Sequence, residues 1–559
     1  MTTLQALRYE LAHPRTSVQL CVLGIMGGVS AAGLIILFRL GLEWVQLHYL
    51  ATIGEFNTLA WYYRLLLPVG AAMCIVIVAW ITGFRHYRMG IPFVIHRVKR
   101  HYGVIPFRTT INQFFGGMLA LAGGFVVGRE GPSVHIGAAG SSILGEWLKL
   151  PYNSIRILAG CGIAAGISAS FNTPFAAVIF VMEVVLREYK IHIFVPVMLA
   201  AACGSLLTRW VFGAGHELSV VEFNHVGGWI YLYLVLVGIM LGALAALFNN
   251  QLMRVMRWFR PVSMVNRLLL AGLVTGLFGA VLPHAMGANF DALYAFFDLQ
   301  PSLFLLLAVL ASKLVLAVFA IALGVPGGII GAVMVIGMLF GVLLLTPLSA
   351  FTDTAELTDN FALLGLAGML TAVLHAPLAA LSSVMELSFS PGVILPAMLV
   401  IVPAYVTSTQ LLGNRSIFIR QLDYQKLRYT TSSVQETLQK TGVLACMDSE
   451  FKQYKSAPES AILAFLEKSP THPVVQQLTF EIDVHYQLVQ YDVSLGHETA
   501  PLRFYDMEGI HSQATLAEVY EILSKRREGG VYVYDTVPEN IVGVITWNYL
   551  HSYLMREQF

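Results

Sequence analysis

One pattern occurs twice in this chain, first as Phe171-Asn-Thr-Pro-Phe-Ala-Ala-Val-Ile-Phe-Val-Met-Glu183 and again as Leu374-His-Ala-Pro-Leu-Ala-Ala-Leu-Ser-Ser-Val-Met-Glu386. The two prolines, Pro174 and Pro377, are 203 residues apart. Each copy ends on a glutamate in apolar surroundings, where a charged side chain is costly in lipid. Matching Pro-broken segments in two halves of a membrane protein indicate structural repeats that enclose a substrate site near the bilayer midplane.

The composition is that of a membrane protein. Of the 559 residues, 57% are hydrophobic and only 12% are charged, and the mean hydropathy is +0.69. A soluble protein carries about 25% charged residues. Apolar segments long enough for many spans lie near 17–46, 62–84, 111–127, 154–185, 192–212, 228–253, 268–286, 302–322, 328–348, 361–387 and 392–412. We therefore expect an all-α polytopic membrane domain at 17–425, made of two inverted repeats at about 17–210 and 228–412, with broken, partly spanning helices.

The composition changes after residue 425. Residues 426–559 contain short alternating runs such as Gly530-Val-Tyr-Val-Tyr-Asp535 and Ile541-Val-Gly-Val-Ile545, which predict strands. Thr515-Leu-Ala-Glu518 fits a capping box that opens a helix. The tail is therefore predicted to be a soluble α/β domain.

The distribution of basic residues predicts the orientation. Lys and Arg lie before the first span and in connections near 85–108, 187–190 and 254–267, whereas connections near 47–61, 213–227, 284–301 and 351–360 contain none. The positive-inside rule then places residues 1–16 and the tail in the cytoplasm. Residues 1–16 show no removable signal peptide, and the expected location is a bacterial inner membrane.

The sharpest motif is Gly128-Arg-Glu-Gly-Pro-Ser-Val-His-Ile-Gly137. Its glycines let backbone N–H groups approach a ligand, and Pro132 suits the first turn of a helix. The positive end of that helix would favour an anion. Glu130 carries a negative charge at the same place, so it would compete with the anion and act as a gate. The alternative is that Glu130 pairs with Arg129 or caps the helix.

Two further glycine-rich turns open apolar segments. One is Gly324-Val-Pro-Gly-Gly-Ile-Ile-Gly331 in the second half, and the other is Met89-Gly90-Ile91-Pro92. Glycine loops are common in membrane proteins, so each is weak alone. The order of all three, together with the internal repeat, is informative.

These motifs and the Phe-Asn-Thr-Pro stretch resemble the CLC family of chloride channels and chloride/proton exchangers over about residues 17–425. The resemblance implies a homodimer with one anion pathway in each subunit, and it makes Glu130 the gate. Carried over by position, Ile329 and Ile330 would offer backbone N–H groups to the anion. The anion-binding positions implied in this way are Met89, Gly90, Ile91, Gly128, Arg129, Gly131, Ile329, Ile330 and Phe418.

The chain also departs from the family pattern. Met89 and Phe418 stand where the family usually has serine and tyrosine, so two hydroxyl donors are replaced. Val184 stands where family exchangers often carry the inner proton-relay glutamate, and Gly328-Ile-Ile-Gly-Ala332 lacks the usual Phe and Pro. We therefore expect chloride transport that is channel-like or weakly proton-coupled. The fluoride-exporting branch of the family also tends to have methionine in place of this serine, as at Met89. Chloride/proton or fluoride/proton antiport is therefore the alternative.

Glu183 and Glu386 have two interpretations, of which we favour a structural role with bonds to backbone near the dimer-side helices. The tail resembles paired CBS domains and is expected to be regulatory. Nucleotide binding is not supported, because Tyr549 fills the place of the aspartate that usually holds ribose. A protein with a vestigial pore that acts as a membrane sensor is a third class of function.

We do not expect an enzyme, since HExxH, GxxxxGK[ST] and GxSxG are all absent from the sequence. The five cysteines show no metal-ligand spacing, so neither a metal nor another cofactor is expected. Nothing in the sequence suggests a nucleic-acid partner.

Overall fold

The structure is a computed structural model that describes residues 3–84, 90–213, 228–350, 357–429, 433–455, 457–480, 483–492 and 501–557. Up to residue 429 its α-helices are α1 (Thr3–Leu11), α2 (Val18–Gln46), α3 (Trp61–Ile81), α4 (Ile91–Arg100), α5 (Phe107–Ala122), α6 (Glu130–Trp147), α7 (Tyr152–Phe171), α8 (Pro174–Phe180), α9 (Ile191–Phe212), α10 (Ile230–Trp258), α11 (Met264–Val281), α12 (Phe290–Asp298), α13 (Leu303–Leu323), α14 (Ile330–Leu345), α15 (Thr358–Leu374), α16 (Pro377–Ser388), α17 (Ile394–Val406) and α18 (Ile417–Gln425). A π-helical turn continues α8 over Val181–Leu186.

This part of the chain is built to sit in a bilayer. Within the described ranges, nine helical segments are long and apolar enough to cross a membrane, namely α2, α3, α7, α9, α10, α11, α13, and α14 and α17 with their continuations. Tryptophans at or next to helix ends are exposed, as expected for aromatic belts at membrane interfaces: Trp44, Trp61, Trp80, Trp210, Trp229 and Trp258. The protein is a multi-pass membrane protein, and the predicted fold class of a helical membrane domain with an α/β tail is confirmed.

The two halves pack corresponding helices in the same way. In the first half, a Cβ on Gly162 of α7 would overlap the carbonyl oxygen of Gly137 on α6. In the second half, a Cβ on Gly365 of α15 would overlap the carbonyl oxygen of Gly337 on α14. Small residues let membrane helices approach closely, and helix association there relies on such packing. Glycines therefore set the distance between each pair of helices.

The repeated stretch folds as α8 and α16, which pack against each other and are capped by each other's glutamate. The Glu183 carboxylate accepts hydrogen bonds from the N–H groups of Leu378 (3.2 Å) and Ala379 (2.7 Å) at the start of α16. The first N–H groups of a helix have no partner within it, and the helix dipole favours a negative charge at that end.

The second glutamate makes the mirror arrangement. The Glu386 carboxylate accepts from the N–H groups of Phe175 (2.9 Å) and Ala176 (2.8 Å) at the start of α8. The predicted bonding of both glutamates to backbone is confirmed. Their location at a dimer interface stays a prediction.

The tail contributes α19 (Ser433–Leu438), α20 (Glu459–Leu466), α21 (Leu516–Leu523) and α22 (Trp547–Glu557), and the strands β1 (Lys452–Lys455), β2 (Val474–Phe480), β3 (Asp483–Tyr491), β4 (Leu502–Asp506), β5 (Glu508–His511), β6 (Gly530–Tyr534) and β7 (Ile541–Thr546). One sheet has the order β1-β2-β3-β4 and the other β5-β6-β7. In each sheet the first pair is parallel and the other pairs are antiparallel. The strands predicted at 530–535 and 541–545 and the capping box of Thr515 with Glu518 are all present.

The chain divides into two compact units. One holds residues 21–144 and 157–429, and the other holds residues 1–20, 145–156 and 430–559. Within the second unit, the Tyr152 N–H donates to the Gln513 carbonyl oxygen (2.8 Å) and the Gly442 N–H donates to that of Ala12 (2.9 Å). The unit that contains the tail thus includes two segments that sequence analysis had assigned elsewhere.

Candidate functional site

Two helices of the first unit begin at the same place. α6 begins at Glu130 and α14 begins at Ile330. The turns that precede them are joined as an antiparallel bridge, in which the Gly128 N–H donates to the Gly328 carbonyl oxygen (2.7 Å) and the Gly328 N–H donates to that of Gly128 (2.6 Å). The positive ends of two helices therefore converge on one point, one from each half.

The Glu130 carboxylate fills a space that glycines leave open at this bridge. A Cβ on Gly128 or Gly328 would overlap Glu130 Oε2, and a Cβ on Gly331 would lie 2.8 Å from Oε1. The Gly331 N–H donates a hydrogen bond to the carboxylate, and Glu130 is 3% exposed. Within the described part of the chain, Oε2 has no hydrogen-bond partner. A negatively charged group thus occupies a cradle of backbone N–H groups, which is the chemistry of an anion site.

A third glycine turn, at the start of α4, lies close to the bridge. Gly90 has φ 78°, a conformation that favours glycine, and it precedes the first residue of α4, Ile91. A Cβ on Gly90 would lie 3.9 Å from the Gly327 carbonyl oxygen, so this turn lies close to the second-half turn. Met89, another predicted anion-binding residue, lies outside the described residues.

A cavity of about 720 Å³ reaches the bridge from one side, and we call it the inner cavity. Gly327, Gly328 and Ile329 line it at the bridge, and the buried ring of Phe418 on α18 lines it too. The ionisable side chains among its described lining residues, Tyr424 aside, are all basic, namely Arg260, Arg267 and Lys426. Such a lining attracts anions and repels cations.

A second cavity of about 210 Å³, the outer cavity, reaches the bridge from the first-half turn. Gly128, Arg129 and Glu130 line it, and its charges are mixed because Arg39, Glu43 and Asp291 line it as well. The Arg129 guanidinium lies over the Phe171 ring, with 4.6 Å from Cζ to the ring centroid. Aromatic faces stabilise a cation in this geometry.

A small cavity of about 60 Å³, which we call the apolar cavity, also touches Glu130. Its lining includes Ile330 and the first turns of α8 and α16 at Ala176 and Ala379. These two alanines donate the N–H groups that hold Glu386 and Glu183. Val184, predicted as the lost proton-relay position, is 5% exposed and lines none of these three cavities.

The structure brings most of the predicted site residues together around the bridge. Gly128, Gly131 and Ile329 lie at the bridge itself, and a Cβ on Gly131 would lie 2.5 Å from the Gly327 carbonyl oxygen. Ile330 begins α14 and lines the apolar cavity with Glu130. Gly90, Ile91 and Phe418 line the inner cavity, and Arg129 lines the outer cavity. The roles of these residues in binding an anion stay predictions.

Sequence reasoning missed several polar residues at the inner cavity, of which Gln113 is the most deeply buried. Gln113 on α5 lines that cavity and is fully buried. The signal in the sequence was an amide within the apolar segment 111–127. The sequence does not show whether the helix face that carries this amide lies against lipid or against the rest of the protein.

Comparisons with known proteins identify the family. The family model described as voltage gated chloride channel matches residues 69–409. A putative chloride channel protein ClcB-like from Ralstonia nicotianae is 27% identical over 66% of this chain and 87% of its own. An H(+)/Cl(-) exchange transporter ClcA from Cronobacter sakazakii is 26% identical over 74% of this chain and 91% of its own.

Solved structures share the fold. A slow cyanobacterial Cl-/H+ antiporter matches with a TM-score of 0.62 at 23% identity, over 74% of this chain and 98% of its own. A eukaryotic CLC transporter matches with a TM-score of 0.60 at 16% identity, over 95% of this chain and 97% of its own. A CLC-type fluoride/proton antiporter matches with a TM-score of 0.56 at 24% identity, over 71% of this chain and 98% of its own. Since the family model covers more than half of the chain, this protein belongs to the voltage-gated chloride channel family, the CLC family.

Proposed function

We propose that this protein carries small anions, chloride in the first place, across a membrane, and that the Glu130 carboxylate gates the pathway. The observation that carries this proposal is the position of that carboxylate in a cradle of glycines between the inner and outer cavities. An anion that passes from one cavity to the other by way of the bridge must displace the carboxylate or meet it in its protonated form. Family membership supports anion transport as the class of function.

The charges at the site favour an anion over a cation. The helices α6 and α14 direct their positive ends at the bridge, and the inner cavity is lined by three basic side chains and no acidic one among the described residues. A cation would meet like charges on the inner side and gain nothing from the helix dipoles.

We further propose that transport is channel-like or only weakly coupled to protons. Val184 cannot carry a proton, and it lies buried where the family resemblance places an inner relay group. The chain therefore lacks, at this position, the relay glutamate that family exchangers often carry.

The test of the gate is Glu130→Gln, which keeps the size of the side chain and removes its charge. Chloride efflux from liposomes should be fast and independent of external pH in the variant, because an amide does not titrate. Wild-type efflux should rise as the external pH falls. Glu43→Gln makes the same change at an outer-cavity carboxylate that pairs with Arg39, and it should keep the pH response. A well-folded Glu130→Gln protein with no flux would show that Glu130 is structural.

Antiport is the second candidate, either chloride/proton or fluoride/proton. The names of the similar proteins favour it, since they include H(+)/Cl(-) exchangers and a fluoride/proton antiporter. The apolar cavity favours it too, because it leads from Glu130 to the helix ends that hold Glu183 and Glu386.

The reversal potential in a proton gradient separates the two candidates, with chloride, nitrate and fluoride compared in turn. We expect a value that follows the anion gradient alone. A value that shifts with the proton gradient in a fixed ratio would establish antiport instead. Absence of flux for all three anions would favour the third class, a membrane sensor with a vestigial pore.

We also propose that the protein works as a homodimer, as the family resemblance implies, with a regulatory tail. Exposed apolar side chains on α9 and α17 are available for an interface, among them Leu206, Leu395 and Val402. The mass of the protein in detergent, after subtraction of the detergent, should be twice the chain mass of 61.3 kDa. A monomer that transports at the full rate would contradict this assembly.

A further inference from the structure

Among the residues that the structure describes, the side-chain amide of Gln113 has no hydrogen-bond partner, although Gln113 is 0% exposed. Both Oε1 and Nε2 are buried and unpaired. Most buried side-chain polar atoms in proteins are hydrogen-bonded, and an unpaired one calls for an explanation. An amide that is left dry and unpaired destabilises the fold, so a purely structural residue at this place would be expected to be apolar.

The neighbouring residue on α5, Asn112, also has a buried side-chain amide, and that amide is hydrogen-bonded. Asn112 is equally buried, and its Nδ2 donates to the Thr82 hydroxyl. The unmet hydrogen bonds of Gln113 are therefore not a general property of this helix. Of these two neighbours, Gln113 is the one that lines the inner cavity.

Gln113 is the most deeply buried of the amides that line the inner cavity, since Gln421 is 7% exposed and Gln425 is more exposed than that. The Phe418 ring has no hydrogen-bond donor, and the Tyr424 hydroxyl already donates to the Met256 carbonyl oxygen (2.8 Å). An anion that moves from the basic side chains towards the bridge loses hydrating water. A neutral N–H donor can replace part of that water, because a hydrogen bond to an ionised group is stronger than one between neutral groups.

We propose that Gln113 is an anion-binding residue, whose Nε2 donates a hydrogen bond to a small inorganic anion in the inner cavity. The inference rests on the proposed transport function and adds a side chain to a site that otherwise offers backbone N–H groups and helix ends. Oε1 then accepts a hydrogen bond from a water molecule that accompanies the anion. Both orphaned atoms of the amide are satisfied when the site is filled.

The test uses the full-length protein in detergent, with sodium chloride titrated calorimetrically against a chloride-free gluconate buffer. Gln113→Met keeps the length and bulk of the side chain and removes both polar atoms. It should weaken chloride binding about ten- to a hundredfold, since a hydrogen bond to a charged group is lost. Gln113→Glu, which replaces the donor with a negative acceptor, should weaken binding further.

Thermal unfolding provides a second readout that separates binding from structure. In chloride-free buffer, Gln113→Met should unfold at the wild-type temperature or above, because two unpaired polar atoms are gone. Chloride should raise the unfolding temperature of wild type more than that of the variant, since a ligand stabilises the state that binds it. Gln251→Met on α10 makes the same change outside all three cavities, and it should leave chloride affinity unchanged.

The outcomes separate this proposal from the proposed function. If wild type binds and transports chloride and Gln113→Met binds it equally well, the assignment of Gln113 is wrong and the transport function stands. If wild type neither binds nor transports chloride, nitrate or fluoride, the transport function itself fails. If Gln113→Met lowers stability in chloride-free buffer and leaves affinity unchanged, Gln113 is a packing residue.

Discussion

The glycine turn of the first half and that of the second half have the same backbone role but different side chains. Gly128 and Gly328 bond to each other, and each turn opens a helix whose positive end faces the bridge. The first helix begins with Glu130, whereas the second begins with Ile330. Both halves therefore contribute a glycine turn and a helix start to the candidate anion site, and the carboxylate of the proposed gate comes from one half.

The glutamates at 183 and 386 behave in the opposite way. Each accepts two backbone N–H groups from the first turn of the other half's helix. Their equivalence indicates a structural role, since both halves need it. The difference teaches that the glutamates kept in both repeats cap helices of the opposite half, whereas the proposed gate is a carboxylate present in one repeat only.

The largest expected effect comes from moving the carboxylate between halves, with the double substitution Glu130→Gln and Ile330→Glu. We expect pH-independent chloride efflux, because the glycine cradle is shaped around residue 130 and Ile330 lines the apolar cavity. Wild-type efflux should change up to about tenfold per pH unit, as the protonated fraction of a carboxyl does. Chloride efflux from liposomes at a series of external pH values measures the response of the double variant and of wild type. Restored pH-dependent gating would show that the two halves are interchangeable.

The next effect concerns the close approach of the two turns. A Cβ on Gly131 would lie 2.5 Å from the Gly327 carbonyl oxygen and 2.7 Å from its carbon. Gly131→Ala should therefore destabilise the protein by about 1–3 kcal/mol, as overpacking does. Thermal unfolding in detergent measures it. Gly33→Ala in α2, where nothing lies within 4 Å, should leave stability equal or slightly higher. Equal effects at both positions would contradict the tight bridge.

A smaller and symmetric effect is expected at the reciprocal caps. Glu183→Ala and Glu386→Ala each leave two helix N–H groups without their carboxylate, which should cost about 1–3 kcal/mol. The two losses of stability should be similar, and chloride efflux should persist in both. A loss of proton-coupled flux in one variant but not in the other would instead assign that glutamate to proton transfer.

The smallest expected effect on transport comes from the tail. Deletion of residues 430–559 should leave a folded, anion-permeable protein, because the unit of residues 21–144 and 157–429 contains the bridge and both cavities. Its gating or rate should change, and residues 145–156 should become more accessible to protease, since Tyr152 loses its bond to Gln513. Liposome efflux and limited proteolysis measure this. An inserted protein without flux would place part of the pathway in the tail.

Much of the fold followed from local chemistry that the sequence displays. Apolar length predicted most of the spans, although segment 111–127 folds as the shorter helix α5 and segment 361–387 is divided between α15 and α16. Gly and Pro predicted the starts of α4, α6 and α14, and Thr515 with Glu518 predicted the start of α21. These are short-range effects, because a helix start depends on a few consecutive residues. The candidate gate Glu130 was found in this way as well.

The sequence by itself determined which residues carry charge, where helices begin and that the two halves repeat. Only the tertiary structure decided which N–H groups Glu183 and Glu386 cap, that residues 145–156 belong with the tail, and that Gln113 lines the inner cavity rather than facing lipid. Each of these depends on segments far apart in the chain. The physical reason is that the rotation of a helix about its axis is set by its packing partners, and a nearly uniform apolar sequence does not encode that rotation.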